Sequence, residues 1–139
     1  MHIFIAETDD EIVNCYPVMA ELRPHIKADE FLSRVRRQET DGFQLACVVD
    51  EGMKAVAGFR ISENLAYGKF LYVDDLVSKT EDRSKGYGGA LFDWLVALAR
   101  EHECDQFHLD SGVHRFAAHR FYLTKRMDIS SHHFVLKLK

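Results

Sequence analysis

Apolar residues recur along this chain in two rhythms, and the two alternate in blocks. Short runs of β-formers read as strands at His2–Ala6, Phe43–Val49, Lys54–Ile61, Phe70–Val77, Gln106–Asp110 and His133–Leu138. The last run sets Phe134, Leu136 and Leu138 on one face. Between these runs the spacing turns helical. Thr8-Asp9-Asp10-Glu11 is a capping-box pattern, followed by Ile12, Tyr16, Met19 and Leu22. Pro17 predicts a kink or break in that helix, and Arg23-Pro24-His25 closes it. A second helix is predicted from about Asp29 to Gln38, with Phe31 and Val35 inward. The strongest helix runs from Gly86 to His102, its wide apolar face built on Leu91, Leu95 and Leu98. A short one follows from Phe116 to Thr124.

Asp50-Glu51-Gly52 joins two of the strands as a hairpin turn, and Gly58 within the second of them signals a bulge or a close backbone neighbour. The resulting order is β-α-α-β-β-β-α-β-α-β. Hairpins first and helical connections later predict an α/β fold, a mixed central sheet with helices on both faces. No linker, repeat or charge block interrupts residues 1–139, so a single domain is expected.

The most informative segment is Arg83-Ser84-Lys85-Gly86-Tyr87-Gly88-Gly89, which leads from a strand into the strongest helix. First-turn amides have no internal partner and carry partial positive charge. Glycines let an anion approach them, and a pyrophosphate suits the spacing. Arg83 and Lys85 add charge at the rim. A plain strand-to-helix turn would use the same glycines. The dinucleotide fingerprint fails because its third glycine would fall on Leu91, and no Walker motif is present.

The R-x-x-G-x-G spacing resembles the pyrophosphate loop of the GNAT acetyltransferase superfamily. Asp75-Leu76-Val77 resembles the end of that family's fourth strand, and Ala118-His119-Arg120-Phe121-Tyr122 its second motif. The chain departs from the family pattern at Thr80 (often proline), Arg115 (often asparagine) and Arg126 (commonly glycine). The resemblance implies a mostly antiparallel sheet in which the fourth and fifth strands are splayed. Acetyl-CoA would lie between them as co-substrate. Its pantetheine arm would pair with backbone near Leu76 and Val77, and its diphosphate would rest on amides from Ser84 to Ala90, through Lys85, Gly86, Tyr87, Gly88 and Gly89. The implied reaction moves an acetyl group to a primary amine of a small molecule or peptide, by direct attack in a ternary complex. A catalytically silent CoA-binding sensor or partner module is the alternative.

Thioester aminolysis needs a neutral amine, a donor for the developing oxyanion and an acid for the leaving thiolate. Tyr122 is the expected acid, its usual pKa of about 10 being near a thiol's. Asp75 is the expected base by family position, with Asp110 and a water chain as alternatives. Adjacent strand residues face opposite sides, so Asp74 and Asp75 are expected to diverge. Glu21, Arg23, His25 and the His132–His133 region are expected at the acceptor entrance. Each of these could equally serve packing or a solvated surface.

Charge narrows the partners. With Lys+Arg 18 against Asp+Glu 22, the formal net charge is −4, which argues against nucleic acid or an anionic membrane surface. Eight histidines without HExxH or CxxC make a metal site unexpected. Three separated cysteines and no basic leader point to reduced thiols and a cytoplasmic location. A homodimer is compatible with this reading.

Overall fold

A computed structural model describes all residues, 1–139. The chain forms two compact units, Met1–His108 and Leu109–Lys139. The larger unit opens with β1 (His2–Ala6), α1 (Asp9–Leu22), α2 (Ala28–Glu39), β2 (Gln44–Val49), β3 (Met53–Asn64) and β4 (Gly68–Ser78). A 3-10 turn at Thr80–Asp82 leads into α3 (Tyr87–Glu101), and β5 (Gln106–Leu109) closes the unit at the boundary. The sheet order is β1-β2-β3-β4-β5, antiparallel as far as β4 and parallel between β4 and β5.

Strand alternation gives the sheet two apolar faces. Val56 and Val77 join Ile12, Cys15, Met19, Phe31 and Val35 in the core under α1 and α2. Ser78, next to Val77, faces α3, because a Cβ on Gly88 would lie 2.8 Å from its hydroxyl. Helices therefore cover both faces, as expected.

The Thr8 capping box forms in full: the Thr8 hydroxyl accepts from the Glu11 amide (3.1 Å) and the Glu11 carboxylate accepts from the Thr8 amide (3.0 Å). Of the kink or break expected at Pro17, the break does not occur: α1 runs on through it. The carbonyl that loses its partner belongs to Val13, whose exposed position lets water replace the missing N–H. The smaller unit contains α4 (Phe116–Thr124). No strand forms at His133–Leu138, contrary to expectation. A strand needs a backbone neighbour, and this unit holds no other to pair with it. After α4, Arg126 takes φ +66°, the left-handed conformation that glycine commonly supplies there.

Candidate active site

The segment entering α3 is anchored from three sides. Glu21 on α1 accepts hydrogen bonds from both the amide (2.9 Å) and the hydroxyl of Thr80. Proline could not supply that amide. The carboxylate of Asp82, a residue 5% exposed, accepts from Lys85 (3.1 Å) and Lys54 (3.4 Å). Lys85 first, and then Lys54, holds its pKa below the usual carboxylate range. The amide of Lys79 donates to the carbonyl of Lys54 (2.8 Å).

Beyond these anchors Arg83 is extended, Ser84 takes φ +69° and Gly86 takes φ +87° as the residue that starts the helix. Arg83 to Gly86 are exposed, and Tyr87 to Ala90 half-buried. No side chain caps α3, and its first turn has no acidic residue. By contrast α1 and α2 place Asp9, Asp10 and Glu11, and Asp29 and Glu30, in theirs. The positive end of α3 is thus left without an anion of its own. Not every amide from Ser84 to Ala90 is available. Lys85 donates to the Asp82 carbonyl (3.3 Å) and Ala90 to the Gly86 carbonyl (3.0 Å). The amides opening the helix, Tyr87, Gly88 and Gly89, have no intrahelical acceptor.

The glycines divide their work. A Cβ at Gly86 would meet nothing within 4 Å, so its glycine serves the positive φ. Gly88 serves the close seating of α3 on Ser78. The Tyr87 hydroxyl donates to Asp50 (2.8 Å) on the hairpin turn, which raises its pKa and turns that ring toward the turn.

β4 carries eleven residues and β5 only four. Their pairing begins where the Asp105 amide donates to the Lys69 carbonyl (2.6 Å). A parallel partner of that length ends before the level of Leu76 and Val77. On the β3 side these two pair with Ala57 and Val56.

On the other face of the sheet lies a cavity of about 610 Å³. It is lined by α1, by α2 and by Arg60, Tyr72, Asp74 and Asp75 of the sheet. Both aspartates reach it, contrary to expectation. Gly58 pairs with Asp75 and the next residue, Phe59, with Val73, so Asp74 is the extra residue of a bulge. A bulge sets two residues against one and breaks the alternation. The bulge expected at Gly58 is present, whereas its close neighbours are side chains and not backbone. A Cβ there would lie 2.6 Å from the Phe43 ring and 2.8 Å from the Asp75 carboxylate.

Each aspartate has its own arginine. Arg23, at the end of α1, donates through Nε to Asp75 (2.7 Å) and through Nη2 to the Asp74 carbonyl (3.2 Å). Arg60 donates through Nε to Asp74 (3.0 Å) and through Nη2 to Gln38 (2.8 Å). Burial pushes the Asp74 pKa up, partly opposed by Arg60. Of the residues expected at the acceptor entrance, Arg23 and His25 line this cavity, whereas Glu21 belongs to the loop anchor. Sequence reasoning missed Asp82, Arg60, Arg34 and Gln38. The last two share a face of α2 with Phe31 and Val35, and polar residues on an inward stripe were the available signal.

Tyr122 lies on α4, half-buried, its ring 5.4 Å from that of Phe121. Burial raises its pKa, opposed by the Arg115 charge. Asp110 lies 3.5 Å from His133. Among the described residues no group of three His, Cys, Asp or Glu is arranged to hold a metal ion.

An unneutralised helix start following a strand, on a sheet whose fourth strand bulges and pairs in parallel with the fifth, defines an acetyltransferase-type α/β domain. The profile of the acetyltransferase (GNAT) family matches residues 5–127, and the chain belongs to that family. It is 31% identical over 127 residues to YhdJ of Bacillus subtilis (strain 168), an uncharacterized N-acetyltransferase, covering 90% of this chain and 89% of that one. Its fold matches a ribosomal-protein-alanine N-acetyltransferase from Brucella melitensis biovar Abortus 2308, with TM-score 0.84 at 15% identity over 99% of this chain and 100% of that one. It also matches glucosamine-6-phosphate N-acetyltransferase from Arabidopsis thaliana, with TM-score 0.77 at 17% identity over the full length of both.

Proposed function

We propose that this protein transfers the acetyl group of acetyl-CoA to a primary amine of a small molecule or peptide, by direct attack in a ternary complex. The observation that carries this reading is the exposed start of α3, free of any acidic residue and opened by glycine. A diphosphate is the anion that such a row of amides suits. Arg83 and the amides of Ser84 and Gly86 to Gly89 would hold it. The β4 backbone at Leu76 and Val77 would pair with the pantetheine arm as an added strand does. The bound thioester supplies an acetyl group activated for attack.

The amine enters from the cavity face. Asp74 is the better proton acceptor of the two carboxylates, since burial raises its pKa. Asp75, held by Arg23, orients the amine. As the C–N bond forms, an amide N–H near Leu76 stabilises the charge developing on the carbonyl oxygen. As the C–S bond breaks, the Tyr122 phenol gives its proton to the sulfur. The phenol carries its proton at neutral pH, and burial makes it a weaker acid than a free tyrosine. Both units are read as one acetyltransferase domain, supported by a family match that spans them. Three free thiols support a cytoplasmic location. No helix is long and apolar enough to cross a membrane.

Calorimetry with acetyl-CoA, competed by inorganic pyrophosphate, tests the cradle. Thiol release with a panel of amines tests transfer. Tyr122→Phe is expected to lower turnover while leaving the acetyl-CoA dissociation constant nearly unchanged. Full activity of that variant removes the acid role. Binding without release for any amine makes the protein a CoA-binding module instead.

A further inference from the structure

The cavity under α1 and α2 presents three guanidinium groups and two carboxylates. Two of the arginines are matched, Arg23 with Asp75 and Arg60 with Asp74. The third, Arg34, pairs with Glu30 of its own helix through Nη1 only, and its side chain is 36% exposed. Its Nε is buried and has no hydrogen-bond acceptor. Only Glu30 approaches its guanidinium, at 3.5 Å from Nη1. That carboxylate is already engaged in starting α2, where it accepts from the Lys27 amide (3.0 Å). A buried guanidinium N–H without an acceptor is unfavourable, and an anion entering the cavity would relieve it.

Arg34 lies one helical turn from Gln38, which holds Arg60, which holds Asp74. Arg34, with its Nε lacking an acceptor, and the carboxylates thus share one cavity, with Phe31, Val35 and Met19 between α1 and α2 supplying apolar wall. From this we infer that the acceptor is a small amine that also carries an anionic group, a carboxylate or a phosphate, on a short apolar body. Its amine faces Asp74 and Asp75, and its anion faces Arg34. This inference rests on the transferase reading, and names the acceptor class for the same site. A cavity of this size holds a free small molecule or a short peptide end.

The test compares matched acceptors at saturating acetyl-CoA. Apolar amino acids, their amides, their decarboxylated amines and aminoalkyl phosphates are assayed for thiol release. Acids or phosphates are expected to exceed the uncharged partners in kcat/KM by roughly tenfold or more, the scale of a charge-assisted contact. The two anion arms tell carboxylate from phosphate. Arg34→Gln is expected to collapse that preference to about twofold or less through KM, with partial rescue by Arg34→Lys. Equal rates for charged and uncharged partners, or an equal loss for both in Arg34→Gln, overturns the inference. Calorimetric titration of the same acids and amides, without acetyl-CoA, separates the two readings. Failure of acetyl-CoA to bind defeats the transferase reading alone. Failure of the acids to bind more tightly than the amides, or binding indifferent to Arg34→Gln, defeats the acceptor class alone.

Discussion

Asp74 and Asp75 are neighbours in sequence with the same side chain, yet they are differently placed for chemistry. Asp75 accepts a short bond from Arg23 and is 13% exposed at its side chain. Asp74 is half-buried, and burial raises its pKa despite Arg60. A raised carboxyl pKa means that the fold prefers the protonated form. That preference is fully present below the ordinary value of 3.8 and is lost as pH rises through the raised value. If Asp74 is the base, the acid limb of the rate profile lies above the ordinary aspartate value. Asp74→Asn is then expected to remove that limb, and Asp75→Asn to change acceptor KM while keeping it. The same profile in wild type and Asp74→Asn would assign the proton to water. Asp74→Asn should also gain stability relative to wild type as pH rises from acid to neutral, which urea unfolding measures.

Elements, more than single residues, decide where these groups point. The bulge on β4 rests on Gly58 opposite it, since any Cβ there would press on the Phe43 ring and the Asp75 carboxylate. Gly58→Ala is expected to cost about 1–3 kcal/mol by overpacking. It should also impair acceptor use more than acetyl-CoA affinity, because α3 lies on the opposite face. An equal loss of both would mean that the strand as a whole is disturbed. The α3 entry shows the same division. Gly86 makes the turn and Gly88 admits Ser78, so a substitution at Gly88 unseats the helix as well as filling the approach to its amides. The buried Asp82, between Lys54 and Lys85, keeps this entry in place and was not visible as a site residue in the sequence.

For the molecule as a whole, ligand binding should be legible in stability. A ligand that binds only the folded chain adds about 2.7 kcal/mol at a hundred times its dissociation constant. Acetyl-CoA at that excess is expected to raise the unfolding midpoint by several degrees, and inorganic pyrophosphate to do so at higher concentration. An unmoved midpoint with both would argue against the α3 cradle.

Much of this architecture was readable along the chain, and the physical reason is locality. The helix periodicities, the Thr8 capping box, the glycine-led entry to α3 and the succession of elements along the chain depend on neighbours a few residues away. The Gly58 signal was also local, since only a residue without a side chain tolerates a crowded strand. What the sequence by itself determined was the family, the element order up to α4 and the position of the glycine-led turn into α3. Only the tertiary structure decided that Asp74 and Asp75 share a cavity, that Glu21 braces the Thr80 loop and that Arg34 Nε is buried without an acceptor. Those facts depend on pairings between residues tens of positions apart, and a one-residue shift in strand register reverses which way each side chain points.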